Sequence, residues 1–220
     1  MLTTTSTAVQ DYLKGLYLLG EAQPGATIST TGIAHHLRVS AAAATAMLKK
    51  LDAMGLVSHE PYKGATLTDA GLRVALEVLR HHRLLETYLV EALGFGWDEV
   101  HDEAEVLEHV LSEELEERIS ALLGHPTADP HGHPIPSRDL LSPPAPDRRL
   151  WDVGDGSSVV VDRVSDTDAD ALRYLASAGV RPGARIHILR RGPLAGPLFI
   201  ELGGIEHALS KELAEAVWVA

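Results

Sequence analysis

A proline-rich segment, residues 126–149, divides this chain into two parts of different secondary-structure class. It reads PTADPHGHPIPSRDLLSPPAPDRR, and proline at this density ends helices and removes donors from sheets. The sequence before it has the spacing of amphipathic helices, whereas the sequence after it alternates short apolar runs such as SSVVVDRV with glycine and proline. The chain is therefore predicted to be mainly α-helical, with a small β domain at its C-terminal end.

The distribution of charge divides the helical part further. Residues 75–143 hold 4 basic and 15 acidic side chains and seven of the twelve histidines, whereas residues 1–74 hold 6 basic and 5 acidic ones. The net charge of −12 therefore does not argue against DNA binding by the first segment, because the acid lies elsewhere. We predict a first domain over 1–74, an acidic helical domain over 75–143, a linker over 144–150 and the β domain over 151–220.

Two absences in the sequence limit the class of protein. Apolar runs of about 18 residues, as a membrane span needs, are not found, and the N-terminal sequence lacks the basic start and apolar core of a secretory signal. We therefore expect a cytoplasmic protein without a membrane partner. The chain contains no cysteine, so any metal must be held by nitrogen and oxygen donors.

Residues 28–68 have the pattern of a winged helix-turn-helix. A capped apolar run over 28–37 is followed by a short turn and by SAAAATAMLKKLDAMG, which opens on the cap Ser40 and closes on Gly55. Two short strands around a Lys-Gly turn follow over 56–68. In such a fold the second helix enters the major groove of DNA, and the wing lies along the backbone.

The polar side chains of this segment are candidates for phosphate contacts. They are Ser40, Thr45, Lys49, Lys50 and the wing residue Lys63. The four alanines at 41–44 are predicted to touch thymine methyl groups, and a recognition helix with so few polar groups must rely on DNA shape for specificity. Winged helices also serve as protein-interaction modules, so that alternative stays open.

Histidines and carboxylates cluster in HDEAEVLEHV, residues 101–110. On an α-helix its candidate donors fall within an arc of roughly 80°. These donors are His101, Glu105, Glu108 and His109. The long helix before it carries His82 and Glu86 four residues apart. Such groups either form a solvated acidic stripe or converge on a cation, and two antiparallel helices carry enough of them for one or two metal sites.

Several motifs together resemble one known family. They are DYLKGLYLL at 11–19, LxxxGLV at 51–57, GATLTDAG at 64–71, HRLLE at 82–86, VHDEAEVLEH at 100–109 and HGHPIP at 131–136. The chain resembles the metal-dependent repressors that include the diphtheria toxin repressor and the manganese transport regulator. Its tail is similar to the SH3-like domain of longer members and of small iron-transport accessory proteins. The resemblance implies a winged helix-turn-helix, a helical metal-binding and dimerisation domain and a C-terminal SH3-like barrel.

The resemblance also implies two metal sites and a homodimer. The positions that match the regulatory site are Asp11, Glu105, Glu108 and His109. The positions that match the ancillary site are His82, Glu86 and His101, completed from the SH3-like domain by Asp168, with Asp170 as its nearest rival. The dimer would set two recognition helices roughly 34 Å apart on a palindromic operator in double-stranded DNA.

Three positions bear on which metal is sensed. Asp11 and Glu105 stand where iron-responsive members carry Met and Cys, and hard oxygen donors suit Mn²⁺. Mn²⁺ is therefore the predicted cofactor and Fe²⁺ the alternative, while Zn²⁺, Co²⁺, Ni²⁺ or Cd²⁺ can bind such donors in vitro. Lys14 replaces a carboxylate of the short manganese regulator, which argues against a second ion at the regulatory site.

The function implied is repression of metal-uptake genes when divalent metal is bound. An enzyme is not expected, because the sequence shows neither an activated nucleophile nor an HExxH pair, and no organic substrate is expected either. A winged-helix regulator that senses an organic ligand and a protein-interaction scaffold stay open as alternatives.

Overall fold

The computed structural model describes residues 5–21, 27–143, 146–194 and 196–220, so the first two residues of the predicted linker lie outside the described part. The chain packs into two compact units. The first comprises Met1–His82, Leu107–Ser112 and Pro136–Ser142, and the second comprises Arg83–Val106, Glu113–Ile135 and Pro143–Ala220. These limits differ from the predicted domain boundaries, which stay predictions.

The helices and strands follow one another in a mainly helical first half and a strand-rich second half. The described helices are α1 (Thr7–Glu21), α2 (Thr30–His36), α3 (Ala41–Ala53), α4 (Asp69–Leu93), α5 (Val100–Leu107), α6 (Glu113–Leu122), α7 (Ala169–Ser177) and α8 (Lys211–Glu215), with a short 3₁₀ helix at Leu150–Asp152. The described strands are β1 (Val57–Glu60), β2 (Gly64–Leu67), β3 (Ser158–Val164), β4 (Arg185–Arg191), β5 (Leu198–Leu202), β6 (Ile205–Leu209) and β7 (Val217–Val219).

Helices α2 and α3 form the predicted helix-turn-helix. The hydroxyl of Ser29 accepts from the Gly32 N–H and that of Ser40 accepts from the Ala43 N–H, so each helix begins on a serine cap. Helix α1 packs on this pair through a fully buried apolar core. Its largest members are Leu13, Ile33, Leu48 and Leu51. The structure confirms the fold predicted for this segment.

The wing is an antiparallel pair in which Val57 of β1 lies opposite Leu67 of β2. Gly64 begins β2 with a φ of 114°, a conformation that residues with a Cβ rarely adopt. A Cβ there would also collide with the carbonyl oxygen of Ile28, which pairs through a β-bridge with Ala65. A glycine at this position therefore lets the wing dock on the segment before α2.

Helix α5 is shorter than the sequence predicts. It ends at Leu107, so Glu108 and His109 lie in the turn that follows it, and the predicted common arc holds only for His101 and Glu105. Before it, α4 runs for 25 residues and passes from the first unit into the second between His82 and Arg83. The two units thus share the helix that carries the HxxxE motif.

The C-terminal part forms the predicted small β domain. Its strands make one antiparallel sheet in the order β6-β5-β4-β3-β7. Alternate residues of β4 and β5 point inward, and the buried ones include Ile186, Ile188, Leu198 and Ile200. Among the described residues no helix combines the length and apolarity that crossing a membrane requires.

Candidate metal centres

Asp11 on α1 and His109, just after α5, face each other within the first unit. His109 Nε2 lies 3.0 Å from Asp11 Oδ1, and His109 Nδ1 lies 2.6 Å from Gln10 Oε1. The Gln10 amide nitrogen donates to the Thr5 hydroxyl at 3.2 Å, which turns its oxygen toward His109. In a neutral ring Nδ1 therefore carries the hydrogen, and a bare Nε2 faces a carboxylate oxygen. Lone pairs this close need a proton or a cation between them.

Glu108 is fully buried and already has a cation of the chain beside it. The ammonium group of Lys14, itself buried, donates to the two carboxylate oxygens at 2.9 and 2.8 Å. His82 Nδ1 lies 2.6 Å from Glu108 Oε2 and 3.3 Å from the Lys14 nitrogen. The structure thus brings His82, predicted for the ancillary site, against a predicted regulatory ligand, and it places Lys14 at the centre of that group.

Three ligand-type side chains converge within the second unit: Glu86, His101 and Asp166, each offering an atom within 4.8 Å of the others. His101 Nδ1 lies 3.4 Å from Glu86 Oε1 and 3.9 Å from Asp166 Oδ2, and its Nε2 lies 3.7 Å from Glu105 Oε1. The predicted fourth member, His82, lies one turn before Glu86 on α4. Glu105, predicted for the regulatory site, thus lies beside His101, and its assignment stays a prediction.

A loop of the same unit supplies a further group: Asp129, His131 and His133. Asp129 Oδ1 accepts from the backbone N–H of His131 at 2.8 Å and of His133 at 3.0 Å, so the aspartate folds the loop around itself. Arg83 holds the loop from α4, because it donates to the carbonyl of Pro134 at 2.5 Å and lies 3.8 Å from Asp129 Oδ2. The imidazoles of this loop are therefore fixed by backbone hydrogen bonds.

His131 shows most directly that this pocket needs a cation. Its Nε2 lies 2.7 Å from the carbonyl oxygen of Trp97, which only accepts, so the neutral ring presents a bare Nδ1 at 3.5 Å from Glu86 Oε2. Burial lowers the pKa of His131, but the carboxylates of Glu86, Asp129 and Asp166 outweigh it and raise that pKa to about 9. Without metal, a proton on His131 meets the need for positive charge, and a divalent ion can replace it.

The donors present fit a divalent metal ion. Within the described residues, Asp129 Oδ2, His131 Nδ1 and His133 Nδ1 are buried and make no hydrogen bond. Buried polar atoms of native proteins are nearly always paired, so such atoms facing one another indicate a missing partner. Imidazole and carboxylate donors suit Mn²⁺, Fe²⁺ and Zn²⁺, which matches a chain without cysteine.

The structure gives Asp168 a different task from the predicted one. Its side chain is exposed and caps α7, where Oδ1 accepts from the N–H groups of Asp170 and Ala171 at 2.9 and 3.0 Å. Asp170 pairs with Arg173 instead. Asp166, two residues earlier, is the acid that lies beside His101, so it is the better candidate for this position, although Asp168 stays a prediction.

Asp166 and the loop donors Asp129, His131 and His133 were not predicted as ligands from the sequence. One signal was present: the three loop residues alternate with Pro130 and Gly132, a spacing that places side chains on one side of an extended segment. Their approach to Glu86 depends on the folding of the loop over α4, and the local sequence does not encode that.

The predicted DNA-contact residues lie on the recognition helix and the wing. Lys49 and Lys50 are exposed on α3, and Lys63 is exposed in the wing, 2.6 Å from Glu60. Ser40 caps α3, and the Thr45 hydroxyl donates to the Ala41 carbonyl at 2.7 Å. Ala44 is fully buried, so only the alanines at 41–43 are exposed to DNA. Tyr62, fully exposed at the wing tip, is a candidate that the sequence did not suggest.

Comparison with known proteins assigns the chain to a family. Three family models match: "Iron dependent repressor, N-terminal DNA binding domain" over residues 4–65, "Iron dependent repressor, metal binding and dimerisation domain" over 68–137 and "FeoA domain" over 148–220. The iron-dependent repressor IdeR of Mycobacterium leprae is 35% identical over an alignment of 222 positions that covers 94% of each chain. The chain belongs to the iron-dependent repressor family. A further relative, the diphtheria toxin repressor of Corynebacterium efficiens, is 31% identical over 94% of this chain and 93% of its own.

Solved structures of this family have the same fold. A structure described as "Manganese-dependent transcriptional repressor complex with manganese" has a TM-score of 0.90 and 45% identity, and covers 96% of this chain and 99% of its own. The manganese regulator SloR has a TM-score of 0.80 and 32% identity over 96% and 97%. ScaR with bound Zn²⁺ has a TM-score of 0.82 and 36% identity over 96% and 98%.

Membership of the iron-dependent repressor family decides between the classes left open by the sequence. The chain is a metal-dependent repressor that binds DNA as a homodimer, and it is not an enzyme. The winged helix, the helical dimerisation domain and the SH3-like FeoA domain are all confirmed. The organic-ligand sensor and the interaction scaffold have no support among these relatives. Since both iron- and manganese-dependent repressors are among them, the family does not decide the metal.

Proposed function

We propose that this protein represses metal-uptake genes in response to Mn²⁺, through a regulatory site that joins α1 to the turn after α5. The observation that carries the proposal is the 3.0 Å approach of His109 Nε2 to Asp11 Oδ1, with His109 Nδ1 already engaged by Gln10. A divalent ion bound there supplies the positive charge that these facing donors require. The other residues predicted for this site from the sequence are Glu108, directly before His109, and Glu105, four residues before it.

Asp11 transmits the state of this site to the recognition helix. It lies on α1 next to Tyr12 and Leu13, which are buried in the core shared with α2 and α3. Gly15 lies so close to α2 that an added Cβ would meet the His36 ring at 2.9 Å. Because this contact leaves little freedom, fixing Asp11 also fixes α2 and, through the short turn, α3. Without the cation, repulsion between the Asp11 carboxylate and the facing lone pair of His109 Nε2 loosens this connection.

The choice of Mn²⁺ rests on donor chemistry. Asp11 and Glu105 are carboxylates at positions where the resemblance places Met and Cys in iron-responsive members, and hard oxygen donors suit Mn²⁺. Relatives described as manganese-dependent support the same choice. Fe²⁺ is the second candidate, favoured by the iron-dependent repressors among the relatives and by its higher intrinsic affinity for N/O sites.

For the DNA interface we propose the exposed polar side chains of α3 and the wing. They are Ser40, Lys49, Lys50 and Lys63, together with the half-buried Thr45. For the dimer interface we propose the apolar side chains that the second unit leaves exposed on α5 and α6. They are Val106, Leu115 and Leu122, of which Val106 and Leu122 are about 70% exposed. The two recognition helices would then contact the halves of a palindromic operator.

The metal response is tested by fluorescence anisotropy with promoter fragments of manganese- and iron-transport genes. Metal-free protein is titrated with Mn²⁺, with Fe²⁺ under anaerobic conditions, and with Zn²⁺. We expect binding only with a divalent ion, loss of this activation in His109→Ala, and normal activation in the control His207→Ala. Strong binding by metal-free protein, or full activation of His109→Ala, would contradict the proposal.

The choice between Mn²⁺ and Fe²⁺ is tested with the double variant Asp11→Met/Glu105→Cys. Since soft sulfur donors favour Fe²⁺ over Mn²⁺, the ratio of the two midpoints should move toward Fe²⁺ by about tenfold or more. Asp102→Met, an exposed acid of α5, serves as the control. An unchanged ratio would show that these two positions do not select the metal.

A further inference from the structure

The two ligand groups of the second unit share the carboxylates that separate them. Glu86 directs Oε1 to His101 Nδ1 at 3.4 Å and Oε2 to His131 Nδ1 at 3.5 Å, so its two oxygens serve different imidazoles. Asp166 Oδ2 lies 3.9 Å from His101 Nδ1 and 3.7 Å from His133 Nδ1. Each of these carboxylates therefore stands between one member of the first group and one member of the loop group.

The loop group has a complete donor set of its own. Asp129 Oδ1 accepts from two backbone N–H groups, whereas its Oδ2 makes no hydrogen bond and lies 3.5 Å from His133 Nδ1 and 3.8 Å from Arg83 Nε. In its neutral form, His131 presents a bare Nδ1, because its Nε2–H donates to the Trp97 carbonyl. The side chains of Asp129 and His131 are fully buried, and their free atoms find no hydrogen bond within the described residues. Charged or strongly polar atoms are costly to bury in this state.

The donor atoms that all lie close to one another form two sets rather than one. With metal–ligand bonds of about 2.1 Å, two ligands of one ion stand roughly 3 to 4.3 Å apart. The contacts quoted within each set and to the shared carboxylates, 3.4 to 4.0 Å, all fall in that range. The mutually close atoms nevertheless form one group on Glu86, His101 and Asp166 and another on Asp129, His131 and His133. A single ion bound to one group therefore leaves the donor atoms of the other group without a metal ion.

We propose that this pocket binds two divalent metal ions as a carboxylate-bridged pair, one on His101 and the other on Asp129, His131 and His133, with Glu86 and Asp166 shared between them. Carboxylate-bridged ions in proteins stand about 3.5 to 4 Å apart, a separation that one shared carboxylate spans. The proposal rests on the metal-binding part of the proposed function and adds a second ion to it. His133 is the residue that we assign to the added ion, since its Nδ1 lies 3.5 Å from Asp129 Oδ2 and 3.7 Å from Asp166 Oδ2.

The test uses the full-length chain with the regulatory site disabled by Asp11→Asn/His109→Ala. After equilibrium dialysis against Mn²⁺, the bound metal is counted by elemental analysis, and its electron paramagnetic resonance spectrum is recorded. We expect two ions per chain from the pocket, with the hyperfine pattern of isolated Mn²⁺ replaced by the broadened signal of a magnetically coupled pair. One ion per chain with an isolated-ion signal would overturn the proposal.

Two variants in that background assign the added ion. His133→Ala should lose one ion per chain and restore the isolated-ion signal, whereas the control His187→Ala, from the exposed face of β4, should keep both ions. Asp129→Asn keeps the Oδ1 acceptor that folds the loop and removes only the free donor, so it should lose the same ion without unfolding. Retention of two coupled ions in both His133→Ala and Asp129→Asn would also overturn the proposal.

The outcome is independent of the regulatory function. Two coupled ions in a protein whose operator binding ignores metal would support the pair and reject the proposed function. Metal-activated operator binding with only one ion in the pocket would support the function and reject the pair.

Discussion

A buried carboxylate needs a positive charge beside it both in the regulatory group of the first unit and in the histidine–carboxylate pocket of the second. The two regions obtain that charge in different ways. In the first, buried Glu108 is neutralised by the ammonium group of Lys14 at 2.8 Å. In the second, the bare Nδ1 of His131 faces Glu86, and only a proton or a bound cation relieves it. The comparison indicates that the first group keeps its shape without metal except at Asp11 and His109, whereas the second has Arg83 beside Asp129 but needs a further cation between His131 and Glu86.

The largest effect is expected from removing the internal cation. Lys14→Met keeps the length of the side chain but leaves the Glu108 carboxylate buried without its ammonium partner. Breaking a buried ion pair from one side costs about 3–5 kcal/mol, so the free energy of unfolding of metal-free protein should fall by that amount. Urea denaturation in a chelator measures it, with Lys49→Met on the surface of α3 as control. A loss below about 1 kcal/mol would show that Lys14 does not neutralise Glu108.

The second expected effect is stabilisation by metal. At a free concentration 100 times the dissociation constant, a bound ion raises the free energy of unfolding by about 2.7 kcal/mol. Because Asp11→Asn/His109→Ala leaves the donors of the second unit unchanged, Mn²⁺ should still stabilise this variant through the pocket of that unit. Thermal unfolding with and without Mn²⁺ checks this. If Mn²⁺ no longer stabilised that variant, the stabilising ion would have to bind in the regulatory group instead.

A third, smaller effect is expected at Gln10, which holds the His109 ring. Removing the amide by Gln10→Ala leaves the tautomer of His109 unfixed, and loss of such a partner lowers metal affinity by about 10- to 100-fold. The Mn²⁺ midpoint of operator binding should rise accordingly, while the saturating level of binding is kept. Gln10→Glu should restore part of the affinity, since a carboxylate still accepts from Nδ1. An unchanged midpoint in Gln10→Ala would remove Gln10 from the site.

The smallest effect is expected at the DNA surface, away from both metal groups. Lys50→Ala and Lys63→Ala should each weaken binding of operator and random DNA about equally and reduce the salt slope by about 1, because they contact phosphates. The metal midpoint should not move. A selective loss for operator DNA would mean that the lysine contacts bases.

The winged helix was predictable because it is encoded locally. Ser29 and Ser40 cap short helices with apolar periodicity, and Gly55 ends the second. The ligand types on α4 and α5 were also visible as HxxxE spacings. Ala44 was assigned to the DNA face incorrectly, since one of four consecutive alanines must turn toward the core and composition does not say which.

The rest of the metal pockets depends on contacts distant in sequence. The end of α5 at Leu107 is not marked by glycine or proline, so Glu108 and His109 were assigned to the helix. Asp168 stands immediately before the amphipathic helix α7, and an aspartate in that position is a typical N-cap. The sequence therefore contained a signal that Asp168 caps a helix, which leaves Asp166 as the acid beside His101. That Asp166 and the loop residues reach α4 depends on the folded loop and on Arg83.

The central claim is that Asp11 and His109 form the metal-dependent connection between α1 and the acidic domain. The most direct test is the Mn²⁺ midpoint of operator binding in Asp11→Asn compared with the native chain, by fluorescence anisotropy. Asparagine keeps the size of the side chain and can donate to His109 Nε2, so α1 keeps its place while the charged donor is lost. We predict a midpoint raised at least about tenfold, with dimer and fold unchanged. A midpoint equal to that of the native chain would contradict the account.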